Sequence, residues 1–149
     1  DAIAFGRLIC ITDPAQAQAR DARLLADGPS ANELAGFKLP NFERGGMVLD
    51  GGGMLFVQPT INGTRLDDIV ADRFLVLAAD AAALGRSSSW WQTRMNALVA
   101  MTDDLDDDEL KRWFNRYDAR VVVVRPDRYV LGAGSALDDI TKQMRPYYR

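Results

Sequence analysis

Histidine is missing from all 149 residues, and cysteine occurs once, at Cys10. The first absence excludes any Ser–His–Asp or Cys–His pair within the chain. It also excludes His-ligated zinc, haem and non-haem iron. A single cysteine excludes a Cys-rich metal site, an internal disulfide and a CxxC redox pair. General acid–base chemistry would fall to carboxylates, Tyr or Lys, and lysine is scarce at three residues. A basic excess is lacking too. Residues 1–70 carry nine acids and six bases, and residues 71–149 carry twelve of each, so neither half offers what phosphate backbones demand. No apolar run approaches the roughly 20 residues of a membrane helix, and no signal-peptide pattern opens the chain. The expectation is a cytoplasmic protein without nucleic-acid or membrane partners.

What is present is a globular composition, 48% hydrophobic and 26% charged. A chain of this length buries about two thirds of its unfolded surface and needs no staple. It opens on Asp1 rather than Met, so the expectation is a chain that is processed, trimmed or cut from something longer. Residues 1–28 read as helical, with Ile3, Ala4, Leu8 and Ile11 on one face. Asp13-Pro14-Ala15-Gln16 is a helix start, with Asp13 as N-cap and Pro14 at the first helical position. The Ala-rich stretch that follows holds little large apolar surface beyond Leu24 and Leu25. Such a helix packs on something larger. Residues 29–45, with Pro29, Gly36, Pro40 and Gly45, read as a linker. Residues 46–149 then form the main domain.

In that domain, residues 47–49 and 54–57 are expected as two short strands around Asp50-Gly51-Gly52-Gly53. The three glycines have no lysine and no following helix, so they read as a tight turn rather than a phosphate loop. Asn62-Gly63-Thr64 matches a glycosylation sequon but reads as a turn. Thr64-Arg65-Leu66-Asp67 is expected as a capping box opening a short helix. Residues 74–79 read as a central strand and 97–101 as a second buried one, with a helix over 87–95 between them. Residues 102–117 are expected as one helix, acidic at its start, with Leu110, Trp113, Phe114 and Tyr117 on one stripe. The four valines 121–124, Pro126-Asp127 and Tyr129-Val130-Leu131 spell an antiparallel hairpin. Ser135-Ala136-Leu137-Asp138 is expected as a capping box on the last helix. Together these elements predict an α/β fold: a thioredoxin-like mixed sheet flanked by helices, lacking CxxC, with an N-terminal helical segment.

Cys10 lies among Leu8, Ile9 and Ile11; apolar surroundings would raise its thiol pKa and leave it inert. The acids at 103–109 lack the Gly and spacing of a calcium loop and read as helix capping. Trp90 and Trp91 point about 100° apart on a helix, so one is expected in the core and the other at an interface. Arg125, Asp127, Arg128 and Tyr129 concentrate charge at the hairpin turn. They complete, with Trp90 and Trp91, the expected interface set. No residue is expected to be catalytic, cofactor-binding or metal-ligating.

The run VVVVRPDRYVLG at 121–132 resembles the C-terminal hairpin of class A flavoprotein aromatic hydroxylases, such as 3-(3-hydroxyphenyl)propionate hydroxylase and the phenol hydroxylase-like enzymes. MLFVQP at 54–59, then RLDDIV at 65–70, is similar to the opening of the same region. FGRLICITDP at 5–14, continuing through Ala19-Arg20-Asp21-Ala22-Arg23, resembles the segment that ends their flavin and substrate part. The resemblance implies a non-catalytic C-terminal domain of an FAD- and NAD(P)H-dependent phenolic ring hydroxylase. It implies residues 1–28 as the helical tail of a preceding flavin and substrate part. It implies a structural or interface role, with those domains and further copies of the chain as partners. The implied fold carries redox thiols in other proteins; here the position after strand 74–79 reads Asp80-Ala81-Ala82-Ala83-Leu84. FAD and NAD(P)H would belong to the parent enzyme and not to this chain. A redox-inactive thioredoxin-like module that stands alone and binds proteins is the alternative.

Overall fold

The computed structural model describes residues 6, 10–27, 41–105 and 107–147. The chain divides into two compact units, Asp1–Leu39 and Pro40–Arg149. In the first, helix α1 spans Pro14–Asp27. The Asp13 carboxylate accepts the Gln16 amide at 2.8 Å, which is the expected N-cap. None of residues 14–26 is buried, and Leu25 is 86% exposed. Cys10 is exposed, rather than set in the apolar surroundings expected from its neighbours in sequence. The helical reading of 1–5 and 7–9 and most of the 29–45 linker lie outside the described residues. Among the described residues, no helix is long and apolar enough to cross a membrane.

The second unit is built on a four-stranded sheet. Strands β3 (Leu75–Ala78), β4 (Leu98–Met101), β5 (Val121–Val124) and β6 (Val130–Gly134) lie in the order β4-β3-β5-β6. The β3/β4 pair is parallel, and β3/β5 and β5/β6 are antiparallel. Ahead of them, β1 (Thr60–Ile61) and β2 (Thr64–Arg65) make a small hairpin, followed by α2 (Leu66–Val70). Two helices, α3 (Ala81–Leu84) and α4 (Ser88–Arg94), link β3 to β4. Helix α5 (Asp108–Arg116) links β4 to β5, and α6 (Leu137–Met144) closes the chain. This mixed α/β arrangement is compatible with a thioredoxin-like fold.

The valine run explains why β5 sits inside. All four residues are buried, because both faces of the sheet are covered and alternate side chains enter different cores. Val121 and Val123 join Val76, Leu131, Trp91, Leu137, Ile140 and Met144 on the α4/α6 face. Val122 and Val124 join Leu75, Leu77, Phe56, Leu110, Trp113 and Phe114 on the α2/α5 face. Strand β4 is half-buried along its length rather than fully buried as expected, since it is the edge of the sheet.

Three local expectations are corrected. Thr64 does not cap α2; it pairs in β2 around the Asn62-Gly63 turn, where both residues have positive φ. The helix expected from residue 102 is split: a 3-10 turn spans Thr102–Asp104, and α5 begins at Asp108, capped by the Asp107 carboxylate on the Glu109 and Leu110 amides. Asp138 does not reach back to its own helix start. Its carboxylate accepts the Ser87 amide at 3.0 Å, a contact across 51 residues that outcompetes a local box.

The segments 47–49 and 54–57 do not form the expected strand pair with each other. They lie along the outer edge of β6 instead. Leu49 N–H donates to Leu131 C=O at 2.6 Å, and Gly53 N–H to Val130 C=O at 2.9 Å. Val130 N–H donates to Met54 C=O at 2.8 Å, and Phe56 N–H to Arg128 C=O at 2.8 Å. This strip satisfies an edge that would otherwise be open. Gly51 turns within it at φ 71°, where a Cβ would stand 2.3 Å from the Ala133 carbonyl oxygen. The glycine turn thus contacts protein backbone, with no room for a phosphate.

Candidate functional site

The position after β3, where the resemblance would place redox thiols, holds a capped alanine helix. The Asp80 carboxylate accepts the Ala83 amide at 2.9 Å. Arg120, from the start of β5, pairs with the same carboxylate. The Ala83 amide chiefly, and the Arg120 guanidinium with it, hold the Asp80 carboxyl below its ordinary range, with burial opposing them. Asp138 is lowered likewise, chiefly by the Ser87 hydroxyl, then by the Ser87 and Arg86 amides and the Arg86 charge, with burial opposing them.

These two shifts set a pH dependence. A carboxylate lowered by folding adds stability that is present above its unfolded pKa of about 4 and is lost as pH falls through the folded value. Asp80→Asn and Asp138→Asn are each expected to lower the melting temperature at neutral pH. Each should flatten its decline in acid, so that variant and parent converge toward about pH 2. Melting curves over that range check it; parallel curves for variant and parent would remove the assignment.

The turn between β5 and β6 gathers most of the expected interface residues, but turns them inward. Arg125 is mostly buried. It donates to Met47 C=O at 3.0 Å, pairs with Asp127 and lies 5.5 Å over the Phe42 ring. Tyr129 packs against Phe42, with ring centroids 4.3 Å apart. Arg128 sits at φ 70°. Its Nε lies 2.6 Å from Asp67 Oδ1, and its Nη2 donates to the carbonyls of Asp67 and Ala71. The turn therefore clamps residues 42–47 on one side and 67–71 on the other. Asp127 remains on the surface, its side chain 49% exposed.

The tryptophans separate as their angular offset requires. Trp91 is 0% exposed, and its indole N–H donates to Thr141 Oγ1 at 2.8 Å. It is a core residue and cannot form a surface contact in this fold. Trp90 is half-buried and meets Trp91 edge to face at 5.1 Å. The residues that sequence reasoning missed are the long-range partners: Asp67 for Arg128, Arg120 for Asp80 and Phe42 for Tyr129. The only signal for Phe42 was its aromatic character in a polar stretch. Among the described residues of the second unit, the large apolar ones that are exposed are Phe42, Met47, Leu55, Tyr117 and Tyr147.

Similarity to known proteins agrees with this architecture. Among curated protein sequences none matches the chain. Among solved structures, RebC soaked with chromopyrrolic acid and holding 7-carboxy-K252c is similar at a TM-score of 0.50 and 16% identity, over 91% of this chain and 29% of its own. The anhydrotetracycline hydroxylase OxyS from Streptomyces rimosus is similar at a TM-score of 0.50 and 18% identity, over 89% of this chain and 29% of its own. The chain thus spans under a third of the length of these structures, and at such identity the likeness is one of fold. The family model of the HcaD C-terminal domain matches residues 53–145, which run from the last turn glycine through the final helix. That stretch is more than half of the sequence, and it includes the hairpin and the 54–59 segment that resemble the aromatic hydroxylases' C-terminal region. The chain belongs to the HcaD C-terminal domain family.

Proposed function

We propose that this chain is the non-catalytic C-terminal domain of an FAD- and NAD(P)H-dependent aromatic ring hydroxylase, similar to 3-(3-hydroxyphenyl)propionate hydroxylase. The family match over residues 53–145 carries the reading. The chemistry of the residues supports it. The chain has no histidine, and the helix after β3 presents alanines capped by Asp80. A cofactor supplies hard chemistry only where a protein positions it. The domain's role is structural: it packs on the flavin-bearing part or on another subunit, in the cytoplasm. Asp127 is the exposed member of the expected interface set, and Trp90, Arg125, Arg128 and Tyr129 are half-buried.

The test uses the full-length parent and the separate 149-residue chain. The separate chain is expected to oxidise no NADH or NADPH with any phenol. The parent lacking residues 46–149 is expected to lose flavin during purification or to change its assembly state in light-scattering measurements. Turnover by the separate chain would overturn the non-catalytic assignment. Full flavin content, assembly and turnover in the truncated parent would overturn the structural role.

A further inference from the structure

A cavity of about 240 Å³ opens on the α2/α5 side of the sheet, between residues 55–58, α2 and the ends of β3 and β5. Its inner walls are Phe56, Leu66, Val70, Leu75 and Val124, each 7% exposed or less. Its polar lining is confined to Gln58, Asp67 and Arg128. An apolar pocket with a few convergent polar groups is the usual form of a small-molecule site.

Backbone strain converges on the same place. Among the described residues, five other than glycine have positive φ: Asn62, Ala71, Asn96, Asp118 and Arg128. Asn and Asp tolerate this region through local hydrogen bonds, whereas Ala and Arg do not. The two costly members, Ala71 and Arg128, are joined to each other at this cavity by the Arg128 Nη2 bond to the Ala71 carbonyl. Ala71 directly follows the cavity wall residue Val70. Strain of this kind persists where the surroundings enforce it, and it clusters at binding sites.

The electrostatics select the ligand class. Arg128 and Asp67 are paired at 2.6 Å, so the lining carries no net charge. Gln58 Oε1 accepts the Asp67 amide at 3.1 Å. Among the described residues, Gln58 Nε2, Asp67 Oδ2 and Arg128 Nη1 make no hydrogen bond to protein. These are two donors and one acceptor for a neutral polar group. With that pair closed on itself, an added carboxylate or ammonium would be buried without a counter-charge of its own. We propose that this cavity is a binding site for a compact uncharged molecule, with an apolar body of about six to eight heavy atoms and one hydroxyl at the Gln58–Asp67–Arg128 edge.

Cyclohexanol is the probe, titrated into the isotope-labelled 149-residue chain and followed by amide chemical shifts. Saturable shifts are expected at Phe56, Val70, Leu75 and Val124, with a Kd on the order of 1 mM for so small a ligand. Cyclohexanecarboxylate should bind at least about tenfold more weakly. Val70→Phe fills the cavity and should abolish the shifts while the Trp91 indole signal, in the opposite core, stays in place. Arg128→Met keeps the volume but leaves Asp67 without its cation, and should widen the preference for alcohol over carboxylate; it decides the matter if Val70→Phe does not fold. The proposal is overturned by shifts that do not saturate or lie elsewhere, by equal binding of the carboxylate, by binding that survives a folded Val70→Phe, or by an unchanged or narrowed preference in Arg128→Met.

Discussion

Replacing Gly52 by alanine is expected to lower unfolding free energy by about 3 kcal/mol or more, the upper end of overpacking costs. The added Cβ would stand 2.3 Å from the Leu131 carbonyl oxygen, 2.8 Å from its carbon and 2.9 Å from the Val130 oxygen. All three atoms belong to the backbone of β6 or its neighbourhood in the sheet, so no rotamer change relieves the clash. Either β6 shifts, which disturbs two cores at once, or the strip lifts away. Lifting breaks the bonds from Leu49 to Leu131 and from Gly53 to Val130 and bares the edge of the sheet to other chains. Gly134→Ala is the control: it lies in β6 with no atom within 4 Å of its Cβ position and no positive φ. It should stay within about 0.5 kcal/mol of the parent. Urea unfolding reads both, and faster amide exchange at Leu49 and Gly53 reports the lifted strip. A Gly52→Ala protein as stable as the Gly134→Ala protein would remove the close-approach argument.

That glycine run also shows what the sequence made legible. Three consecutive glycines announced a tight turn, and it is one. Its partner could not be read, because the contacts run to β6, about eighty residues later, and nothing in a local pattern encodes them. The valine run, the β5/β6 hairpin and the α5 stripe were legible because burial on two faces and helical periodicity are local patterns. The expected capping boxes at Thr64 and Ser135 failed for different reasons. At Thr64 a local hairpin around Asn62-Gly63 draws the residue into β2, whereas the Asp138 carboxylate is taken by the Ser87 amide, 51 residues away. The charged turn at 125–129 drew attention as a surface because of its composition. Its two arginines in fact bind the backbone of residues 47, 67 and 71, a role set by folds of the chain far from the turn. The cavity edge was invisible for the same reason, since Ala71 carries no mark of strain in its residue type.

Trp91→Ala is the other substitution with a large expected effect, about 3–5 kcal/mol. The indole is fully enclosed, packs with Phe74 at 6.2 Å and with Trp90 at 5.1 Å, and leaves a void that helices α4 and α6 cannot both close. More informative is the polar half of the contact. Thr141 Oγ1 accepts the indole N–H at 2.8 Å and donates to the Leu137 carbonyl at 2.7 Å. Thr141 is the one buried polar residue among those described, so its hydroxyl has no water to replace a lost partner. Thr141→Val keeps the shape and orphans the indole N–H, which should cost about 1–3 kcal/mol. Trp91→Phe removes the donor together with ring volume. Once the donor is gone, Thr141→Val orphans nothing on the indole side. The double variant should therefore be more stable than the sum of the single losses by about 1 kcal/mol. Urea unfolding of the four proteins measures that coupling. Strict additivity would mean that the two side chains are merely neighbours, and that α4 and α6 are held together by packing alone.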